Sequence, residues 1–159
     1  MSDADGSPSD NWFHRMRRGE APRAAVSDLL GEAILYVDVA QGQLRVQFQA
    51  APSFCNPAGG VQGGMLAAML DAITAGLVDA TLLPGQVPVT LSLHTQYLRP
   101  ARVGELLGEA HFTRRGREVC FVHGQLLQAG QPVATAQATV KIMTPSARAD
   151  AHATTGPKP

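Results

Sequence analysis

The one long helix candidate in the chain is residues 63–83, GGMLAAMLDAITAGLVDATLL. Its apolar residues lie nearly all round the helix rather than along one stripe, and Asp71 is the only charged residue between Gly63 and Val78. A helix with this pattern must be covered on most sides. We therefore expect it to lie at the centre of the domain, wrapped by the segments that flank it.

Alternation of polar and apolar residues on both sides of this helix predicts β-strands. Before it, residues 33–39 and 43–49 predict a hairpin joined at Gln41-Gly42. After it, four further strands are predicted, over Val87–Leu98, Glu105–Thr113, Arg117–Gln128 and Pro132–Met143. Neighbouring strands in this order can pair without crossovers, which predicts an antiparallel meander. The predicted fold class is α+β, with an antiparallel sheet of about six strands curled around the helix.

The two ends of the chain differ in composition from its centre. Residues 1–10 and 145–159 have almost nothing to bury, which predicts tails. Residues 11–31 predict an N-terminal helical cap in two pieces, with Pro22 starting the second helix and Gly31 ending it. The apolar residues expected on the packed faces of these helices are Trp12, Phe13, Met16, Leu29 and Leu30.

The folded domain is predicted over residues 23–143. An N-terminal tail and helical segment over residues 1–22 precedes it, and a disordered tail over residues 144–159 follows it. The core unit, Gly31 to Met143, is a small sheet on one helix and leaves little room for a deep cleft within one chain. We therefore expect the site at a subunit interface of a homodimer or a dimer of dimers, which is a homotetramer.

Composition and charge exclude several classes of protein. The chain has 159 residues, 45% of them hydrophobic, and its 13 Lys and Arg balance its 13 Asp and Glu. This argues against a nucleic-acid binder, which needs surplus cations, and against a disordered chain. Cys55 and Cys120 are too few for a disulfide framework and lack zinc-site spacing. No apolar run approaches the ~20 residues of a membrane span, and no targeting segment is evident, so we expect a cytoplasmic protein with no membrane partner.

The stretch most informative about chemistry is residues 54–71, FCNPAGGVQGGMLAAMLD. A glycine-rich loop that runs into a helix leaves the first N–H groups of the helix unpaired, at the positive end of its dipole. P-loop spacing and the GxGxxG pattern are both absent. A developing negative oxygen on a carbonyl is therefore a better guest here than a phosphate.

Asp71 lies two turns into the same helix. An unpaired aspartate is costly to bury, so this residue is either a hydrogen-bonded structural carboxylate or a catalytic group beside a reactive water. The pattern alone leaves both interpretations open.

The runs NPAGGVQGGMLAAMLD, residues 56–71, and PVTLSLHTQYLRPARVGE, residues 88–105, resemble the hotdog-fold acyl-CoA thioesterases of the phenylacetate-degradation (PaaI-like, 4-hydroxybenzoyl-CoA thioesterase) type. That family has an Asn, then an HGG motif at the start of the central helix, then an acidic residue nine positions after the His. Asn56, Gln62-Gly63-Gly64 and Asp71 have this spacing here. The resemblance covers roughly residues 23–143.

The resemblance implies a role for each matching residue. The backbone N–H of Gly63 would polarise the thioester carbonyl, with Gly64 beside it in contact with the substrate. Asn56 would help to arrange the site. Asp71, from the facing subunit, would be general base or nucleophile, and Thr90 would orient the water. No metal or cofactor is implied beyond the coenzyme A of the substrate.

Gln62 stands where the family has His. A glutamine can donate and accept hydrogen bonds, so an orienting role survives, but proton transfer by this side chain does not. An alternative function is therefore a non-catalytic acyl-CoA or acyl-carrier binding protein on the same fold.

Other chemistries fit the sequence less well. Cys55 has no marked His partner for a thiol nucleophile, and no GxSxG elbow of a serine hydrolase occurs. His94, His111 and His123 share no ligand spacing, which favours polar strand faces over zinc. A hydratase would place a His within a few residues of Asp71, and none lies there.

Two further groups are candidates for binding the substrate. The turn at residues 114–117 concentrates three arginines, and we expect Arg115 and Arg117 to contact the phosphates of coenzyme A. Phe54 and Met65 are candidates for lining the acyl pocket, although methionine at helical spacing is also typical of a core.

Overall fold

Three α-helices and six β-strands form the fold over residues 8–145, the part of the chain that the computed structural model describes. The helices are α1 (Trp12–Arg17), α2 (Ala25–Leu29) and α3 (Gly63–Asp79). The strands are β1 (Ala33–Asp38), β2 (Gln43–Ala50), β3 (Val87–Tyr97), β4 (Gly104–Arg115), β5 (Val119–Gln128) and β6 (Gln131–Met143). Most of the residues predicted to be tails, 1–7 and 146–159, lie outside the described part.

The six strands form one antiparallel sheet in the order β1-β2-β4-β5-β6-β3, which confirms the predicted α+β architecture. The prediction of a four-strand meander is wrong for β3, which pairs with β6 and not with β4. Strand β4 is occupied on that side by β2, through eight residue pairs. Because the sheet curls around α3, the chain leaves the helix at the opposite edge, and residues 98–103 carry it back to β4.

Helix α3 is wrapped by the sheet, as its nearly uniform hydrophobicity predicts. Two glycines on neighbouring strands permit the close approach: a Cβ on Gly108 would lie 2.9 Å from atoms of Ile73 and Phe48, and one on Gly124 would lie 2.9 Å from Thr74. The fully buried apolar side chains of the helix are Met69, Leu70, Ile73, Leu77 and Val78. The helix ends at Asp79, four residues before the predicted end.

Helix α1 covers the C-terminal end of α3. The Asn11 side-chain amide donates to the carbonyl oxygens of Asp79 at 2.7 Å and Leu82 at 2.9 Å, and its oxygen accepts from the His14 N–H at 3.1 Å. The His14 ring lies 2.9 Å from the carbonyl oxygen of Ala80. These contacts satisfy carbonyls that the end of a helix leaves without partners, so the predicted helical cap also closes α3.

Three details of the predicted cap are wrong. Trp12 and Leu29 are 42% and 60% exposed, whereas Phe13 and Leu30 are buried as predicted. Pro22 does not start α2, which begins at Ala25. The preceding segment is tied down in a non-helical form by Arg23, which contacts the side chain of Asp28 and the backbone of Glu32. None of the helices in residues 8–145 is long and apolar enough to span a membrane.

Candidate active site

The loop ahead of α3 is organised by Asn56. Its side-chain oxygen accepts from the backbone N–H of Ala58 at 3.0 Å and of Gly60 at 3.2 Å. Its own backbone N–H donates to the carbonyl oxygen of Gly60 at 2.8 Å. Gly59 adopts φ of 83°, a conformation that favours glycine. Asn56 therefore shapes the turn that delivers the chain to the start of the helix.

The start of α3 presents free backbone donors. The N–H groups of Met65 and Leu66 both donate to the carbonyl oxygen of Gln62, whereas those of Gly63 and Gly64 have no partner within residues 8–145. The first N–H groups of a helix also lie at the positive end of its dipole. This geometry suits an oxyanion or a polarised carbonyl oxygen, as the glycine pattern predicts.

Tyr97 fixes the position of Gly63 and is a residue that the sequence reasoning missed. Its hydroxyl donates to the Gly63 carbonyl oxygen at 2.9 Å. A Cβ on residue 63 would lie 3.2 Å from the Tyr97 ring, so only glycine fits without displacing it. The two residues are 34 positions apart on different elements, and no local pattern signals the contact.

An open cavity of about 340 Å³ lies at this end of the helix. Asn56, Gly63 and Tyr97 line it, together with Arg99. Arg99 is exposed, and its guanidinium donates to the carbonyl oxygen of Pro132 at 2.8 Å. The cavity therefore combines the free Gly63 N–H with a nearby cation, Arg99, which is not among the site residues that the sequence predicts.

Asp71 and Thr90 form the second part of the site. The Thr90 hydroxyl donates to an Asp71 carboxylate oxygen at 2.8 Å, and both residues are half-buried. Asp71 therefore has the partner that a half-buried carboxylate needs. It lies eight residues beyond Gly63, about 12 Å along the helix axis, and does not line the cavity at Gly63.

The other site residues predicted near the start of α3 differ in their exposure and contacts. Gln62 is exposed at the N-cap position and its side chain makes no capping hydrogen bond. Phe54 is 5% exposed and belongs to the hydrophobic core, so within one chain it packs the interior instead of lining the cavity at Gly63. Met65 is half-buried and packs against that core, while Gly64 is exposed.

Arg115 and Arg117 lie at the other end of α3. They line a surface cavity of about 390 Å³ together with Thr81 and Leu82, which follow the helix. The 17 residues of α3 span about 25 Å, so these arginines are far from Gly63 of the same chain. The Arg115 guanidinium lies 5.8 Å from the centroid of the Phe112 ring.

The histidines of the sheet form a polar row. The rings of His111 and His123 have centroids 5.0 Å apart, and Gln137 is hydrogen-bonded to His123 at 3.0 Å. Burial lowers the pKa of His123, and the neighbouring His111 lowers it further. Within residues 8–145 no cluster of His, Cys, Asp and Glu could hold a metal ion. Cys55 and Cys120 are both free thiols.

Comparison with known proteins places this geometry in a family. The model of the thioesterase superfamily matches residues 58–135, which include the start of α3, Asp71 and Thr90. A phenylacetic acid degradation-related protein from Ralstonia eutropha JMP134, known from its crystal structure, is 53% identical over 82% of this chain and 99% of its own, with a TM-score of 0.81. The chain belongs to the thioesterase superfamily. It is a thioester hydrolase with the hotdog fold, as the resemblance of the loop and helix implied.

More distant structures share the fold of this thioesterase. The PaaI protein from the phenylacetic acid degradation operon of E. coli is 20% identical over 82% of this chain and 89% of its own, with a TM-score of 0.71. The thioesterase HI1161 from Haemophilus influenzae is 18% identical over 75% of this chain and 82% of its own, with a TM-score of 0.68. No functionally curated protein matches the chain.

Proposed function

We propose that this thioesterase hydrolyses an acyl-CoA to a free carboxylic acid and coenzyme A. The observation that carries the proposal is the hydrogen bond from the Thr90 hydroxyl to the Asp71 carboxylate at 2.8 Å. Asp71 lies on α3, the helix whose first N–H groups are free. Thioester hydrolysis needs an activated nucleophile and a donor for the oxyanion, and these two features supply them.

The proposed reaction uses each residue in turn. Asp71 accepts a proton as a water oxygen bonds to the thioester carbonyl carbon. If the Asp71 carboxylate attacks that carbon itself instead, water hydrolyses the resulting mixed anhydride, which releases the acid, restores Asp71 and supplies the proton for the thiolate. The Thr90 hydroxyl holds the carboxylate in place and orients the water. The Gly63 N–H donates to the oxygen that becomes negative. The C–S bond then breaks, and the thiolate of coenzyme A leaves with the proton. Asn56 keeps the loop in shape for this step, and Gln62 supports it.

The complete site needs two copies of the chain. Asp71 and Gly63 of one chain lie about 12 Å apart along the helix, too far to act on one carbonyl group. Strand β3, which carries Thr90, is an edge strand with one side unpaired within the described residues. Its exposed face carries Val87, Val89 and Leu91, which are 39%, 37% and 58% exposed. We propose a homodimer formed along β3, with Asp71 facing the partner's N-terminal end of α3.

The phosphates of coenzyme A require cations near the mouth of the site. Arg99 lies in the same cavity as Gly63 and is the candidate within one chain. The contact of Arg115 and Arg117 with the phosphates stays a prediction. Because both arginines lie at the far end of α3, they could contact only a substrate bound at a site that another subunit completes.

The experiment that tests this function measures thiol release from a panel of acyl-CoA substrates. Asp71→Asn removes the proton acceptor and keeps the shape of the side chain, so we expect kcat to fall by about 10²–10⁴. Asp38→Asn, at the distant end of β1, is the matched control and keeps wild-type kcat. Wild-type turnover by Asp71→Asn would overturn the assignment. Thermal stabilisation by acyl-CoA without any turnover in the wild-type protein would favour the acyl-CoA binding protein instead.

A further inference from the structure

A groove of about 170 Å³ lies between the N-terminal helices and α3. We call it the N-terminal groove. Its α3 wall is made of small residues, Ala72, Ala75 and Gly76, and its rim carries Trp12 and Val26. These two apolar side chains are 42% and 53% exposed, so the rim is open to a ligand.

The N-terminal groove opens beside the reacting pair. Ala72, which lines it, directly follows Asp71 on α3. Pro88 also lines it, and Pro88 lies two residues before Thr90 on β3, on the same face of the strand. Asp71 and Thr90 do not line the groove themselves, but each is close along its element to a residue that does, so an acyl group held at Asp71 has only to extend past Ala72 and Pro88 to enter it.

The far end of the groove is polar. It is lined by Asp79, Glu32 and Ser27. The Asp79 carboxylate has no ion pair and no side-chain hydrogen bond within residues 8–145, and burial raises its pKa to about 6. Ser27 is 7% exposed, and its hydroxyl has no partner in the same part of the chain. Arg23, which precedes the groove residue Ala24, is engaged by the Asp28 side chain and the Glu32 backbone.

This position is an unfavourable one for an aspartate. Asp79 is the last residue of α3, where the negative end of the helix dipole repels a carboxylate, and burial disfavours its charged form. A residue that lowers stability and has no structural partner is typical of a functional position. Within residues 8–145 no fully buried side-chain oxygen lacks a partner, so the unpaired Asp79 and Ser27 oxygens are open to the groove, where a ligand that brings a donor can reach them.

We propose that the N-terminal groove holds the acyl group of the substrate and that Asp79 selects acyl groups with a hydrogen-bond donor at their far end. The inference rests on the proposed acyl-CoA hydrolysis at Asp71. An apolar cavity of about 150 Å³ accepts benzene, so 170 Å³ accommodates one ring. Ala72 and Asp79 are separated by about 10 Å along the helix, which fits a ring on a short spacer. The donor is a hydroxyl or an ammonium group.

The test compares three substrates that differ only at the far end: 4-phenylbutanoyl-CoA, its 4-hydroxyphenyl analogue and its 4-(aminomethyl)phenyl analogue. In the wild-type protein we expect at least one donor-bearing substrate to have a kcat/KM about tenfold or more above that of the unsubstituted one. Which of the two donor-bearing substrates has the higher kcat/KM shows whether the subsite binds a hydroxyl or an ammonium group. In Asp79→Asn the preference falls by about tenfold or more, and in Asp38→Asn, the matched control, it does not change.

Measuring the Kd of ligands that cannot be hydrolysed tests the groove independently of the catalytic proposal. The same three acyl groups on coenzyme A as thioethers, which cannot be hydrolysed, should show the same order of Kd. If no substrate is hydrolysed, the proposed function fails, and the Kd ratios still test the groove. A second variant, Ala75→Leu, narrows the groove and should weaken binding of all three thioethers about tenfold. Equal affinity for the three ligands, a preference that survives Asp79→Asn, or full affinity in Ala75→Leu would overturn the inference.

Discussion

Replacing Asp79 by Asn should stabilise this thioesterase at neutral pH. Burial raises the pKa of this carboxyl from 3.8 to about 6, a change of about two pH units. Each unit corresponds to 1.36 kcal/mol, so ionised Asp79 costs the folded state about 3 kcal/mol. Asn has nearly the same shape and no charge, and it removes that cost.

The sign of the pH dependence follows from the raised pKa. Below pH 3.8 the carboxyl is protonated in both folded and unfolded chains, and the cost is absent. As the pH rises from 3.8 to 6 the unfolded chain releases this proton while the folded protein still holds it, so stability is lost over this range, and above pH 6 the loss is complete. The wild-type protein should therefore lose about 2 kcal/mol relative to Asp79→Asn between pH 4 and pH 7, because a small part of the cost is already present at pH 4.

Urea unfolding of both proteins at pH 4 and pH 7, at equal protein concentration, measures this difference. Asp38→Asn is a control of opposite sign. The backbone N–H of Gln41 and other hydrogen bonds lower the pKa of Asp38, so its ionised form stabilises the folded chain and its removal should reduce stability at pH 7. An equal difference between wild type and Asp79→Asn at pH 4 and pH 7 would refute the reasoning about Asp79.

Two further substitutions test the packing around α3. Gly108→Ala places a Cβ 2.9 Å from Ile73 and Phe48, so we expect about 1–3 kcal/mol of destabilisation by urea unfolding; wild-type stability would show that the helix can move away from the sheet. Asn11→Ala removes the two side-chain hydrogen bonds to carbonyls at the end of α3 and the N-cap of α1, so we expect about 2 kcal/mol or more of destabilisation. Faster amide hydrogen exchange confined to the last turn of α3 and α1 would accompany it, and unchanged exchange there would contradict the role of Asn11 as a cap.

The local part of the candidate site could be predicted from the sequence. The glycine run ahead of an apolar helix predicts a helix N-terminus with free N–H groups, and α3 begins at Gly63 with two such groups. The geometry of a loop and of a helix depends on residues that are close in sequence, so the spacing of Asn56, Gly63 and Asp71 is enough to predict it. The match of Thr90 to the family motif predicts its nearness to Asp71, and the two are hydrogen-bonded.

The contacts between distant segments could not be predicted in this way. Alternation along β3 predicts a strand but not its partner, because the alternating pattern is the same whichever neighbour supplies the hydrogen bonds. For the same reason the contact of Tyr97 with Gly63 has no local signal. The exposure of Trp12 was predicted wrongly, since a helical face shows which residues align and not whether another surface covers them.

The sequence by itself determined a buried central helix, an antiparallel sheet and a loop that offers backbone N–H groups to a carbonyl oxygen, because each depends on the order of nearby residues. Only the tertiary structure decided that β3 lies at an edge, that Tyr97 contacts Gly63, and that Asp79 lines a groove together with Pro88 of β3. These are relations between surfaces, and they exist only once the sheet has curled around the helix.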